Sequence, residues 1–396
     1  MTDFSELYST KLPYKICVRC IHDTTVAGIE FDDKGECNFC KVHDELCKQY
    51  RNDAVGSEIL ARKLEKVKRK GKNKKYDCVI GVSGGRDSTY LLFKAVKEWN
   101  LRPLAVHFND GFDNPVGGEN ILNAVQILNV DLVTITSDWR EAKDLKISFL
   151  KASTPDLNQG TDVGIASSLF GVAHKYGIKT ILFGQSFRTE GIKPISWTYF
   201  DGDYLRNVQK LLGSVPLRKW TANDPGFNLG IKELTYYNVF KGIKVIAPLY
   251  YCNYVRSNAD EIISKELKWV NPGAHYYDDL YWSLINYVHR VKFNIDLRIN
   301  SYSALIRSGQ MTRETALERV SKVYEIEDPK IIDLCIKRLG ITRADFDEYM
   351  KLPPKNFRFY PNSYYYMTKF SWAIKLLTIV GFLPKSVYLK YFKNGI

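Results

Sequence analysis

Two groups of residues in this chain have types and spacings that could do chemistry. The first is Ser83-Gly84-Gly85-Arg86-Asp87-Ser88, set between an apolar run, Asp77-Cys78-Val79-Ile80-Gly81-Val82, and a helix-forming segment, Tyr90-Leu91-Leu92-Phe93. A glycine-rich turn at a helix N-terminus offers backbone N–H groups to an oxyanion, and the helix dipole favours negative charge there. Ser83 and Ser88 add hydroxyl donors. Asp87 would repel a phosphate unless Mg2+ lay between the two, and that is the role expected of it. No lysine follows the glycines, so this is not the GxxxxGK[ST] loop of kinase-like NTPases. The second group is Cys17-x2-Cys20 and Cys37-x2-Cys40, separated by sixteen residues. Two such knuckles can close all four positions of a tetrahedral zinc ion, which leaves none open for substrate. The expected metal is therefore structural, with His22 and His43 as alternative ligands close by.

The elements needed to position these groups are legible as alternating apolar runs and helical stretches. Strands are expected at 77–82, 103–108, 131–136, 180–183 and 244–248, with helices between them, including one at about 118–129. Strands spaced this way imply an α/β fold with a five-stranded parallel sheet and right-handed crossovers. Ligands of such sheets sit beyond the carboxyl ends of the strands, near the point where strand order reverses. From about Ser257 only helices are expected, at 278–291, 301–308, 312–323 and 329–338. The chain thus divides into a zinc ribbon (1–45), a basic helical linker (46–75), a nucleotide-binding domain (76–256) and a helical C-terminal region (257–396).

Composition limits the function classes. The chain has 396 residues, 45% hydrophobic and 26% charged, which fits a globular protein of two or three domains. No apolar run approaches the roughly 20 residues of a membrane-spanning helix. The first ten residues, MTDFSELYST, lack a signal-peptide layout, so a cytoplasmic location is expected. The net charge of +13 is concentrated in 62–75 and 351–396 rather than spread along one docking face. Nucleic acid is therefore not the expected partner.

SGGRDS resembles the pyrophosphate loop of the N-type ATP pyrophosphatases, the PP-loop superfamily of asparagine, NAD and GMP synthetases and tRNA thiolases. The resemblance implies an adenine-nucleotide α-hydrolase-like sheet and cleavage of ATP between its α and β phosphates. Pyrophosphate would lie on Ser83, Gly84, Gly85, Arg86, Asp87 and Ser88. The resemblance also places adenosine near Phe108 and Asn109, at the end of the second strand. A narrower similarity covers most of the chain. The CxxC pair, the loop, Thr161-Asp162-Val163-Gly164-Ile165, Gly184-Gln185-Ser186-Phe187-Arg188-Thr189-Glu190-Gly191 and Lys292-Phe293-Asn294-Ile295-Asp296-Leu297-Arg298 are similar to the N-acetyl sugar amidotransferases. So are the residues running on to Ser308-Gly309-Gln310-Met311-Thr312-Arg313-Glu314. Leu297 and Asn300 depart from that family, where basic residues are common.

That resemblance implies ATP-dependent conversion of an acetamido sugar to an acetamidino sugar in the lipopolysaccharide or O-antigen pathways of bacteria. ATP, Mg2+ and structural Zn2+ are the cofactors it implies. Gly184 and Gln185 would contact nucleotide. Asp162, Arg188 and Glu190 follow as catalytic candidates, with Arg188 clamping a sugar carboxylate and Glu190 orienting ammonia. No N-terminal cysteine nucleophile or glutaminase-sized extra domain is present, so ammonia is expected from a separate glutaminase subunit, with a cyclase-like channel subunit as a further partner. The competing reading is a tRNA-thiolating enzyme, for which Cys252 is the candidate sulfur carrier. The aromatic, basic tail 357–392 is expected to pack on the protein. The alternative is peripheral contact with the inner face of the membrane.

Overall fold

The computed structural model describes residues 13–273 and 278–379. At its centre are five parallel strands, β1 (Cys78–Gly81), β2 (Pro103–Asn109), β3 (Leu132–Thr136), β4 (Thr180–Leu182) and β5 (Lys244–Ile246). They run in the order β3-β2-β1-β4-β5. The register pairs Val79 with both Leu104 and Ile181, so β1 is hydrogen-bonded on each side. The chain builds outward from β1 through β2 to β3, then returns to the other edge for β4 and β5. Strand order therefore reverses between β1 and β4, at whose carboxyl ends stand the SGGRDS loop and Gly184-Gln185.

Successive residues of a strand face opposite ways, and the two cores follow that alternation. Val79 joins one buried cluster with Leu104, Val106, Ile181 and helix Gln159–Lys175. Cys78 and Ile80 join the other, with Leu91, Ala95, Ile121 and Leu182. Because both faces are covered by helices, β1 reads as a continuous apolar run rather than an alternating one.

The basic stretch expected to act as a linker is a packed element. Helix Ala54–Gly71 buries Leu60, Leu64 and Val67, spaced four and three apart on one face, against the second core. Its lysines and arginines occupy the remaining faces. The ribbon is likewise joined to the C-terminal helices. The Ile21 amide donates to Ser303 Oγ (3.3 Å), and Arg313 reaches the carbonyl oxygens of Cys17 and Cys20 (both 3.2 Å).

Helices Tyr281–Phe293, Leu297–Arg307, Arg313–Ser321, Pro329–Leu339 and Arg343–Lys351 form the C-terminal region. The tail divides at about Tyr364. Phe357 is fully buried and stacks on Tyr199 at 4.1 Å, whereas Tyr365, Phe370 and Trp372 are 66%, 50% and 67% exposed. Residues 380–392, the remainder of the segment considered for membrane contact, lie outside the described residues. Among the described residues no helix is long and apolar enough to cross a membrane.

Candidate active site

A cavity of about 730 Å³ opens at the carboxyl ends of β1, β2 and β4. Ser83, Gly85, Arg86, Asp87 and Ser88 form one wall. Gly84 has φ of +77°, and a Cβ there would lie 2.0 Å from the Gly117 carbonyl oxygen, so only glycine fits. The turn is stitched internally. Ser88 Oγ lies 3.2 Å from the Ser83 amide and 3.2 Å from Ser83 Oγ, which in turn accepts from the Gly85 amide (3.3 Å). Outside the turn, Asn120 Nδ2 and the Trp269 indole both donate to the Gly84 carbonyl (3.0 and 2.9 Å), and Arg86 forms a bidentate pair with Asp260. The loop is held in shape by its surroundings before any ligand arrives. Gly184 allows β4 to approach it, since a Cβ there would lie 3.0 Å from Ser88 Cα.

Carboxylates crowd this cradle. Asp87 accepts from the Tyr254 hydroxyl and faces Glu190. Burial, and then the charge of Asp87, push the Glu190 carboxyl up to about 8. Asp278, also raised by burial, accepts a hydrogen bond from Ser83 and feels the charges of Asp113 and Asp87. On β2, burial opposes charging of His107, but Asp113, 2.8 Å from Nε2, outweighs it and raises its pKa. An anion-binding turn ringed by carboxylates is electrostatically inconsistent on its own. The charges of Asp87, Glu190, Asp278 and Asp113 thus lie close together on one side of the turn.

The Glu190 proton has a measurable consequence. The folded pKa near 8 lies above the ordinary 4.5, so between those values the folded protein keeps a proton that the unfolded chain releases. Stability in urea is expected to fall as pH rises through that window, and Glu190→Gln is expected to flatten the slope. An unchanged slope in the variant would show that Glu190 titrates normally.

The site residues expected from sequence are gathered unequally. Ser83, Gly85, Arg86, Asp87, Ser88, Phe108, Asp162, Gly184, Gln185 and Glu190 line the cavity, while Gly84 shapes the turn behind it. Asp162 accepts from Asn158 Nδ2 at 2.9 Å and shares its electrostatic surroundings with the half-buried Lys193, whose pKa desolvation lowers. Asn109 does not line the cavity, because its side chain closes a tight turn by accepting from the Gly111 amide (2.7 Å). Arg188 is turned away as well. Its guanidinium donates to the carbonyl oxygens of Tyr250 (2.7 Å) and Tyr50 (2.5 Å), so it braces three chain segments and is not placed to clamp a substrate carboxylate. Asn300, one of the departures, positions the site by donating to the Glu190 carbonyl at 2.6 Å. His107, Asp113, Lys193, Trp197, Asp278, Asp279, Trp282 and His289 line the cavity without having been singled out from the sequence. The Asp278-Asp279 doublet just ahead of a helix was the one available signal among them.

The four ribbon cysteines are buried, and their ligand atoms lie within 4.8 Å of one another. Sγ–Sγ separations are 3.9 Å for Cys17–Cys40, 3.7 Å for Cys20–Cys37 and 3.6 Å for Cys37–Cys40. Zn–S bonds of about 2.3 Å in a tetrahedron give edges of about 3.8 Å, so the donor set fits zinc. His22 and His43 are not members of the cluster. They pack instead edge-on against Phe39 (4.6 Å) and Phe187 (5.4 Å).

A comparison with protein families finds a match in the C-terminal helices. Residues 274–374 match the family described as LPS biosynthesis protein WbpG-like, C-terminal domain. The C-terminal region is similar to a WbpG-like domain. That domain is not an appendage, since it supplies Asp278, Asp279, Trp282, Ile285, His289 and Leu297 to the cavity. The chain is also 27% identical over 126 residues to an uncharacterized protein, MJ1599, of Methanocaldococcus jannaschii, a match spanning 32% of this chain and 44% of that protein. Solved structures to which the chain is similar at a low level include an NH3-dependent NAD synthetase from Campylobacter jejuni (14% identity, TM-score 0.30, covering 75% of this chain and 98% of that one). Another is the U34-tRNA thiolase NcsA from Methanococcus maripaludis (13% identity, TM-score 0.31, covering 84% and 100%).

Proposed function

We propose that the protein is an ATP-dependent amidine synthase acting on an N-acetylated bacterial sugar of a lipopolysaccharide or O-antigen pathway, presented on a nucleotide or other carrier. An amide carbonyl is a poor electrophile, and ammonia will not expel its oxygen as hydroxide. Attack of that oxygen on the α-phosphate of ATP releases pyrophosphate and leaves an O-adenylated imidate. Ammonia then adds at carbon, and AMP departs carrying the former amide oxygen. Overall, amide, ammonia and ATP give amidine, AMP and pyrophosphate.

The observation that carries this reading is the placing of the SGGRDS cradle and the WbpG-like domain's residues on one cavity. Within it, Ser83, Gly85 and Ser88 would hold the pyrophosphate on the turn that Gly84 shapes, Asp87 would carry Mg2+, and Phe108 would lie at the adenosine side. Mg2+, when bound, neutralises charge on the departing pyrophosphate. Glu190, beside Asp87 and Lys193, is the group for receiving and orienting ammonia, its carboxyl oxygens accepting from the N–H groups. Zinc in the ribbon has a structural part only.

Thiolation is less well supported. None of the eight cysteines, all of them described, lines the cavity. Burial pushes the Cys252 thiol up to about 11, and it donates to the Pro248 carbonyl. Such a thiol is a poor nucleophile at neutral pH.

Incubation with ATP, ammonium and acetamido sugars should yield AMP and a product about one mass unit lighter, oxygen being exchanged for NH in the substitution. With 18O in the amide carbonyl, the label should appear in AMP. AMP without the label would overturn adenylation of the amide. Glutamine should not replace ammonium unless a glutaminase subunit is added, and hydrolysis of glutamine by the isolated chain would refute the two-subunit supply.

A further inference from the structure

The basic run 62–75 takes no part in the cavity, and its C-terminal half ends at the opposite pole of the sheet. The strands are parallel, so their first residues stand at one end and the cavity at the other. Lys74 shortly precedes β1, Lys179 immediately precedes β4, and Lys244 opens β5. Helix Ala54–Gly71 brings Lys70 to the same end, where the Gly71 carbonyl accepts from Arg102, the residue before β2 (2.8 Å). Three separate stretches of chain are drawn together here. Lys74 donates to the Gly177 carbonyl, Lys179 to the Lys241 carbonyl (2.8 Å) and Lys244 to the Asn238 carbonyl (3.4 Å). Lys241 Nζ lies over the Tyr236 ring, 5.1 Å from its centre. Carbonyls and a ring carry no net charge, so these contacts leave the positive charge intact. Its effect reaches neighbouring groups. Desolvation and then the charge of Lys70 lower the Lys244 pKa, and desolvation, then Lys241 and Lys179, lower that of His174.

Among these lysines two apolar side chains face solvent. Val239 and Phe240, between Asn238 and Lys241, are 52% and 77% exposed. Tyr237, two residues before the Val239-Phe240 tip ends, is fully buried and stacks on Phe170 at 5.2 Å. The turn is therefore anchored from within while its apolar tip is presented outward, in a ring of cations.

We propose that this pole is a docking surface for an anionic bilayer, with Lys70, Lys74, Lys179, Lys241 and Lys244 meeting lipid phosphates and Val239-Phe240 entering the interfacial layer. The charge fixes the sign of the partner, and the apolar tip fixes its kind. A protein partner is a poor match, since lysine is depleted from protein interfaces. A nucleic-acid backbone would meet the lysines but leave Val239 in water. An anionic bilayer surface offers phosphates for the lysines and, just beneath them, apolar depth for the tip. Docking at this pole leaves the cavity, at the other end of the strands, open to solution. Bilayer binding and turnover are then separate properties, and the inference does not depend on the reaction proposed above.

Sedimentation of the full-length protein with vesicles of phosphatidylglycerol, and with vesicles of phosphatidylcholine, tests the assignment. Binding is expected to phosphatidylglycerol alone and should weaken as salt is raised. Lys70→Gln combined with Lys241→Gln should weaken it about thirtyfold, or about fivefold for each charge removed. Phe240→Ser should weaken it about tenfold. Melting temperature should hold in both variants, since none of the three side chains is buried. No binding to phosphatidylglycerol, equal binding to phosphatidylcholine, or binding that both variants retain in full would overturn the proposal, the last by placing the contact elsewhere, as in the aromatic tail. Binding lost in the lysine variant yet undiminished in Phe240→Ser would overturn the bilayer in favour of a polyanion such as single-stranded RNA, which a gel shift would then show.

Discussion

Asp87→Asn is expected to abolish AMP formation, by about two to three orders of magnitude, while leaving the fold intact. Asparagine has the same shape and can still accept from the Tyr254 hydroxyl through Oδ1, so the loop has no reason to move. What it cannot supply is the negative charge that holds a divalent cation against pyrophosphate. The same substitution removes a like charge from beside Glu190, the second contribution to that residue's raised pKa after burial. Melting temperature should therefore hold or rise slightly while turnover collapses. Pyrophosphate release and thermal unfolding measured on one preparation make the comparison. Near-normal turnover would remove the assignment of 83–88 as the phosphate cradle.

The loop and the strands were legible because their signals are local. Glycine at a position with φ of +77°, a buried apolar run and a helix start all show within a dozen residues of sequence. The place where strand order reverses, between β1 and β4, was not legible, since right-handed crossovers leave several arrangements open and only the structure selects one. The misreadings share a physical cause, which is that a residue's type does not say which way it faces. Arg188 follows a strand end like a substrate clamp, yet its partners are carbonyl oxygens from Tyr50 and Tyr250, far away in the chain. Helix Ala54–Gly71 read as part of a linker because lysines dominate it, while Leu60, Leu64 and Val67 form a narrow apolar stripe that suffices to dock it. His289 gave no signal at all. A single histidine in a helix does not announce that it borders a cavity or that it pairs with a carbonyl as distant as that of Pro155. Cavity residues contributed by the C-terminal helices could not be assigned before the docking of those helices was known.

Removing the ribbon metal is expected to have the largest effect on stability and little on chemistry. Zinc bound by four thiolates is worth about 10–16 kcal/mol in small ribbons, comparable to the 5–15 kcal/mol, roughly, that holds a whole domain together. In the folded protein the sulfur cage is also structural glue. Cys17 Sγ accepts from the amides of Arg19 (3.4 Å) and Cys37 (3.3 Å), and the outer carbonyls of Cys17 and Cys20 hold Arg313. Arg307 reaches Phe39 O (3.1 Å), and its helix, Leu297–Arg307, carries the Asn300 that fixes the Glu190 carbonyl. Without the metal, four buried thiols would have to share a space shaped for thiolates around a cation, and the ribbon should unfold first. None of the four cysteines lines the cavity, so the chemistry itself does not depend on them. Cys17→Ser and Cys40→Ser should each lower the melting temperature sharply, with turnover per folded molecule retained at low temperature. Metal analysis should find one zinc per chain in the unsubstituted protein. A well-folded preparation free of zinc, with an unaltered melting temperature, would count decisively against the ribbon as a metal site.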